Sequence, residues 1–263
     1  MTTPTLRPLS TGELLDRTFA LYRSHFLLFV GITALANLVA LAFQLAFLAL
    51  GGGAASALGC AGMAVFLPLM LVVTLGVTAA TQGATIVAVS HVYLGRPITA
   101  VGALSLIRGR IVPLAMTMIV LGIATTLGFL LLIVPGLILS LMWALAIPVA
   151  VLESRDMMDA ASRSAELTSG SRFRVFVVYA MFLVVLFVVS IVVQMPIGMI
   201  AAETTPAFAV LSAVGSFIAS CLVGPLMTIG LSLLYYDQRV RKEAFDLELM
   251  MAAIDGEPVA NGI

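Results

Sequence analysis

Residues Phe26 to Leu50 read FLLFVGITALANLVALAFQLAFLAL, twenty-five positions without a charged side chain. A helix rises about 1.5 Å per residue and the hydrocarbon layer of a bilayer is about 30 Å thick, so about 20 such residues cross it. The run is also too long for the apolar part of a cleavable signal, about 7 to 15 residues, and Glu13 and Asp16 stand where such a signal would be basic. It is read as a first transmembrane span, and the rest of the chain is read outward from it.

Five further runs qualify, at about 61–90, 111–132, 136–152, 174–198 and 208–236. With 62% hydrophobic residues, 10% charged residues and a mean hydropathy of +1.18, the chain has too little polar surface for a soluble globule of its size. Between the third and fourth runs only Ile133-Val134-Pro135-Gly136 is available to reverse the chain. The second run must outrun the hydrocarbon or bend near Pro68. Tyr235 and Tyr236 should sit at the inner interface, where aromatic rings with a polar tip concentrate.

The thirteen basic residues give the direction. Arg7, Arg17 and Arg23 precede the first run, and Arg96, Arg108 and Arg110 follow the second. Arg155, Arg163, Arg172 and Arg174 follow the fourth, and Arg239, Arg241 and Lys242 follow the sixth. Basic residues accumulate on the cytoplasmic side of spanning helices. The reading is an all-α polytopic membrane helical bundle of six transmembrane helices, with amphipathic interfacial helices on the cytoplasmic side and both termini in the cytoplasm. Residues 1–243 form a single six-span membrane domain (first span about 26–50) and 244–263 a cytoplasmic tail. The net charge of zero is a poor descriptor because the basic residues are segregated to one side, and no nucleic-acid partner is suggested.

Each odd-numbered span is preceded by an arginine-bearing segment and opens a hairpin, so three similar units are one organisation; shared physical demands could produce it without duplication. In the first segment Ser10-Thr11-Gly12-Glu13 fits a capping box. Leu14, Leu15, Thr18, Phe19, Tyr22 and Phe26 then recur at helical spacing. Arg17, Arg23, Arg172 and Arg174 are the candidate contacts for anionic lipid or for a partner.

No charge lies deep within a run, which argues against a proton relay or an ion-coupled carrier. The neutral polar residues are Asn37, Gln44, Gln82 and Gln194, read as interhelical glue or as a surface lining a ligand. In the sixth run Ser212, Ser216, Ser220, Gly224, Thr228 and Ser232 recur every fourth residue. That strip suits close approach of a crossing helix; the alternative is one wall of a hydroxyl-lined channel. Pro113, Pro148 and Gly224-Pro225 are expected to interrupt helices, either as kinks or as breaks that expose backbone groups to a substrate. Cys60 is placed in an outer loop and Cys221 in the sixth span, so no disulfide is expected. No catalytic constellation, metal-ligand spacing or cofactor motif is present.

LRPLSTGELLDRTFALYRSHF at the start, YLGRPITA, IVPGLILSLMWALAIPVAVLE, AASRSAELTSGSRFRVF and LLYYDQRVRKEAFDLE resemble bacterial integral membrane proteins grouped with the membrane domain of glycerophosphoryl diester phosphodiesterases and related uncharacterised six-span families. The resemblance implies an all-helical module of the bacterial inner membrane. Some relatives carry a fused catalytic barrel, for which this sequence is expected to leave no room, so phosphodiesterase activity is not carried over. The expected function is a non-catalytic module that organises membrane lipids or a membrane partner protein. The alternative is a transporter or channel for a neutral or amphiphilic solute. Oligomeric state and lipid identity are not legible.

Overall fold

The computed structural model describes residues 10–51, 54–200 and 206–243. The expected tail, 244–263, and Arg7 lie outside them. The described residues form α-helices without a strand: α1 (Thr11–Ser24), α2 (Phe26–Gly51), α3 (Ala54–Tyr93), α4 (Ala100–Ile107), α5 (Ile111–Leu131), α6 (Ile133–Met142), α7 (Ala146–Leu152), α8 (Met157–Thr168), α9 (Arg172–Ile200) and α10 (Pro206–Glu243). Among the described residues six stretches are long and apolar enough to cross a membrane: Phe26–Ala49, Ala64–Tyr93, Ala100–Leu131, Ile133–Leu152, Arg172–Val192 and Phe208–Glu243. They coincide with the six runs. The third is longer than expected because a 3-10 turn, Arg108–Arg110, joins α4 to α5 without an intervening loop. Cys60, expected in a loop, belongs to α3.

The capping box at α1 forms as its sequence demands. The Ser10 backbone N–H donates to Glu13 Oε2 at 2.8 Å and the Glu13 N–H to Ser10 Oγ at 3.2 Å. Of the apolar face, Leu14 and Thr18 are fully buried, whereas Phe19 and Phe26 remain exposed.

The helix breaks fall elsewhere than the prolines suggested. Pro113, Pro135 and Pro148 are each the third residue of a helix, α5, α6 and α7. The first four N–H groups of a helix have no partner inside it, so a proline in this turn loses nothing. The chain therefore reverses on the single extended residue Leu132 (φ −161°, ψ 148°), with Pro135-Gly136 already helical. A Cβ on Gly136 would lie 2.6 Å from the Phe129 backbone nitrogen, so only glycine lets α5 and α6 approach this closely. The fourth span breaks at Trp143-Ala144-Leu145, before Pro148 rather than at it.

Pro225 does not interrupt α10, which runs through it. Lacking an N–H, it leaves the Cys221 carbonyl without its helical donor, and its ring crowds that carbonyl. The Thr33 hydroxyl of α2 lies 3.1 Å from Cys221 O and shares its one proton between that carbonyl and those of Val30 and Phe29 in its own helix, at 3.0 and 3.1 Å, while the Tyr22 hydroxyl of α1 donates to Leu222 O at 2.7 Å. Neighbouring helices thus satisfy the backbone groups a proline frees inside a membrane. Burial holds the Tyr22 phenol above its usual pKa of 10.0, with a smaller contribution from Cys221, and so keeps it a donor. Thr33→Val should orphan one buried carbonyl and lower stability by about 1 to 3 kcal/mol in a reversible denaturant titration, and Thr33→Ser should retain most of it.

Packing is uneven along the bundle. Residues 83–90 of α3, 148–152 of α7 and 232–235 of α10 are buried without interruption, and this is the end that carries the arginines. Toward the other end Val65, Leu71, Val72, Leu130, Leu131 and Ile133 are exposed, as expected of side chains facing lipid.

Candidate functional site

At the arginine-rich end most charges are consumed inside the protein. Glu153, where α7 ends, accepts from Arg155 Nε at 2.8 Å and from the Tyr235 hydroxyl at 2.9 Å, and lies 3.4 Å from Arg163 Nε. Arg163 also meets Glu166 and Glu243. Burial alone would lower the Arg163 pKa, but the carboxylates of Glu153 and Glu243 outweigh it and raise it. Arg239 Nε donates to Glu243 at 3.0 Å. Tyr235, expected at an interface, is fully buried among these groups because Glu153 gives its hydroxyl a partner.

A second cluster sits on Asp237, whose carboxylate has no solvent exposure. Arg174 NH2 and Arg241 Nε each reach it at 3.0 Å. The Ser171 hydroxyl donates to Gln238 Oε1 at 2.9 Å, and Lys242 Nζ donates to Ser169 O at 2.7 Å and to Glu166 O, capping the end of α8. A cation at a helix C-terminus also complements the macrodipole. The i,i+4 pairs Asp237/Arg241 and Arg239/Glu243 were legible in the sequence as spacing. Arg174, 63 positions from Asp237, was not.

Arg17, Arg23, Arg96, Arg108 and Arg172 form no ion pair with a described residue. Of these, Arg17 and Arg23 line a common hollow of about 500 Å³ with Leu21, Ser24, Tyr93 and Leu233. The Tyr93 ring that borders this hollow is stacked on Tyr236 with centroids 5.4 Å apart. Arg23 borders a second hollow of about 500 Å³ beside Asp16, Phe19, Tyr22 and Phe26. Of the four candidate arginines, two therefore converge, Arg172 stands apart and exposed, and Arg174 is bound to Asp237.

The membrane interior holds a larger space, about 900 Å³, walled by α2, α3, α5, α6, α7, α9 and α10. Asn37 and Gln82 line it, as do Ser216, Ser220, Gly224 and Thr228 of the strip on α10. Gln44, Ser212 and Ser232 do not; Ser232 is buried and donates to Thr228 O at 2.7 Å. The side chain of Gln194 lies outside the described residues. Sequence reasoning missed Trp143, Tyr179, Thr81 and Thr126, which complete the wall. Threonines three or four apart within α3 and the adjacent pair Thr125-Thr126 in α5 were the available signal, and Trp143 is placed by the break that ends α6.

Among the described residues no group of three His, Cys, Asp or Glu side chains could hold a metal ion. The sequence model of one family, described as the membrane domain of glycerophosphoryl diester phosphodiesterase, matches residues 107–250, more than half of the chain. No curated protein and no solved structure matches.

Proposed function

The chain belongs to the family of the membrane domain of glycerophosphoryl diester phosphodiesterase, and from that membership and the division of its arginines we propose a non-catalytic integral membrane module that gathers anionic lipid. The matched domain is the membrane part of that family and not its catalytic part, and the chain is a multi-pass membrane protein. The observation that supports lipid recognition is the hollow between α1 and the end of α3. There Arg17 and Arg23 have no carboxylate partner among the described residues, while Arg163, Arg174 and Arg239 are neutralised in place. Guanidinium pairs suit phosphate oxygens, and the apolar surface of Ala20, Leu21 and Leu233 suits the start of an acyl chain. The distribution of basic residues supports insertion in a bacterial inner membrane with both termini cytoplasmic.

The test is thermal. Phosphatidylglycerol added to the detergent-solubilised protein should raise its melting temperature more than phosphatidylcholine does. Arg17→Gln with Arg23→Gln should abolish most of that difference, since each arginine contributes about 1 kcal/mol near an anionic surface. An undiminished difference removes the reading. Loss of a copurifying protein in the same variant, with lipid response intact, would move it to partner recruitment. A second reading, passage of a neutral or amphiphilic solute, is favoured by the interior cavity and the broken fourth span beside it.

A further inference from the structure

The interior cavity is polar in a way that packing does not explain. Asn37, Gln82, Trp143 and Tyr179 all line it, each half-buried, and the polar side-chain groups of none of them have a hydrogen-bond partner among the described residues. Inside a bilayer an unpaired polar group costs several kcal/mol, so four facing one space call for a polar occupant. The opposite complement is also present. The hydroxyls of Thr78, Thr81, Thr125 and Thr126 donate to the carbonyls of Thr74, Val77, Leu121 and Gly122 at 2.7 to 2.8 Å, which leaves their lone pairs available as acceptors. The wall therefore offers donors and acceptors together.

Charge is absent from it. Among the described residues no Asp, Glu, Lys or Arg lines the cavity, and an ion brought into this low-dielectric space would find no countercharge among them, so phosphates and carboxylates are disfavoured. On α10 the lining runs from Ser216 to Leu231, about 22 Å at 1.5 Å per residue, and about 900 Å³ falls within the range of small-ligand sites. Its wall residues Gly122, Thr126, Ser190 and Ser220 are exposed, so the space is not sealed from its surroundings.

We propose that this cavity binds an uncharged polyhydroxyl group, whose hydroxyls donate to the threonine and serine oxygens and accept from Asn37, Gln82, Trp143 and Tyr179. The group comes either from a free polyol or sugar, or from the headgroup of a neutral glycolipid with its chains outside. This site is independent of the arginine hollow: it shares no lining residue with it and calls for a ligand of different charge.

Trp143 is the sole tryptophan of the chain, so intrinsic fluorescence reads the site directly. The full chain in nanodiscs is titrated with glucosyl-diacylglycerol in one arm and with glucose in the other, with diacylglycerol and phosphatidylglycerol as controls. A saturable change of Trp143 emission with glucosyl-diacylglycerol alone assigns a headgroup site; a change with glucose as well assigns a free-solute site. Asn37→Leu and Gln82→Leu should each weaken binding by about tenfold, and Arg17→Gln with Arg23→Gln should leave it unchanged. Thr126→Val, which keeps the side-chain shape on an exposed part of the wall, should weaken it less and serves if the amide variants do not fold. No saturable change in either arm, or equal affinity in Asn37→Leu, Gln82→Leu and Thr126→Val, overturns the proposal.

Discussion

Asp237→Leu should lower the stability of the solubilised protein by about 3 to 5 kcal/mol, the largest effect of any single change at the arginine-rich end. Its carboxylate is completely buried and is shared by Arg174 and Arg241, each at 3.0 Å. Removing it takes from the Arg174 guanidinium, 19% exposed, the carboxylate that it pairs with. Losing one partner of a buried ion pair costs more than the pair contributed, because desolvation has already been incurred. Arg241, 35% exposed, keeps contact with water, so Arg241→Gln should cost less than about 1 kcal/mol. Differential scanning fluorimetry on the two variants separates these cases. At about 2 to 4 °C per kcal/mol for a chain of this size, Asp237→Leu should shift the midpoint down by about 6 to 20 °C and Arg241→Gln by only a few degrees. Equal shifts would mean that Asp237 is hydrated and that the pairing is incidental.

Ser164→Ala is the second large effect, expected at about 2 to 4 kcal/mol. The break in the fourth span strands the Met142 carbonyl and the Leu145 N–H, both of which an unbroken helix would have paired. Ser164, fully buried on α8, donates to Met142 O at 2.7 Å and accepts from Leu145 N at 3.2 Å, so one hydroxyl closes both ends. Alanine in its place orphans two backbone groups at about 1 to 3 kcal/mol each, with Thr168 Oγ1, 3.4 Å from Met142 O, a partial substitute. Thr168→Val should cost less, since that hydroxyl's better bond is the 3.0 Å contact to Ser164 O within its own helix. Trp143 adjoins the break, so its emission in Ser164→Ala should change along with stability. A change in neither would show that α8 does not hold the break.

These two residues mark where sequence reading stopped. The six spans were legible because hydrocarbon thickness imposes a length on each apolar run, and that constraint is local. The capping box at Ser10 was legible for the same reason: its partners are three residues apart. Ser164 looked like an unremarkable serine in a polar segment, and its task was defined by Met142, 22 positions away and brought near only by packing. Pro113, Pro135 and Pro148 were misplaced because a proline that breaks a helix and one that starts the next helix look alike in sequence. The strip on α10 illustrates a deeper ambiguity. Small hydroxyl residues every fourth position serve either a crossing helix or a polar wall, and only the neighbours decide. Here Ser232 is packed, whereas Ser216, Ser220 and Thr228 border the cavity.

The arginines were legible as a group but not as individuals. Their clustering gave one end of the bundle its character, while carboxylates distant in sequence determined which were neutralised. Native mass spectrometry of protein extracted with its own membrane lipids tests this division directly, by comparing Arg17→Gln with Arg23→Gln against Arg174→Gln. The account predicts loss of retained anionic lipid from the double variant, and from Arg174→Gln a less stable protein that carries as much anionic lipid as the parent. Retention intact in the double variant and lost in Arg174→Gln would contradict it.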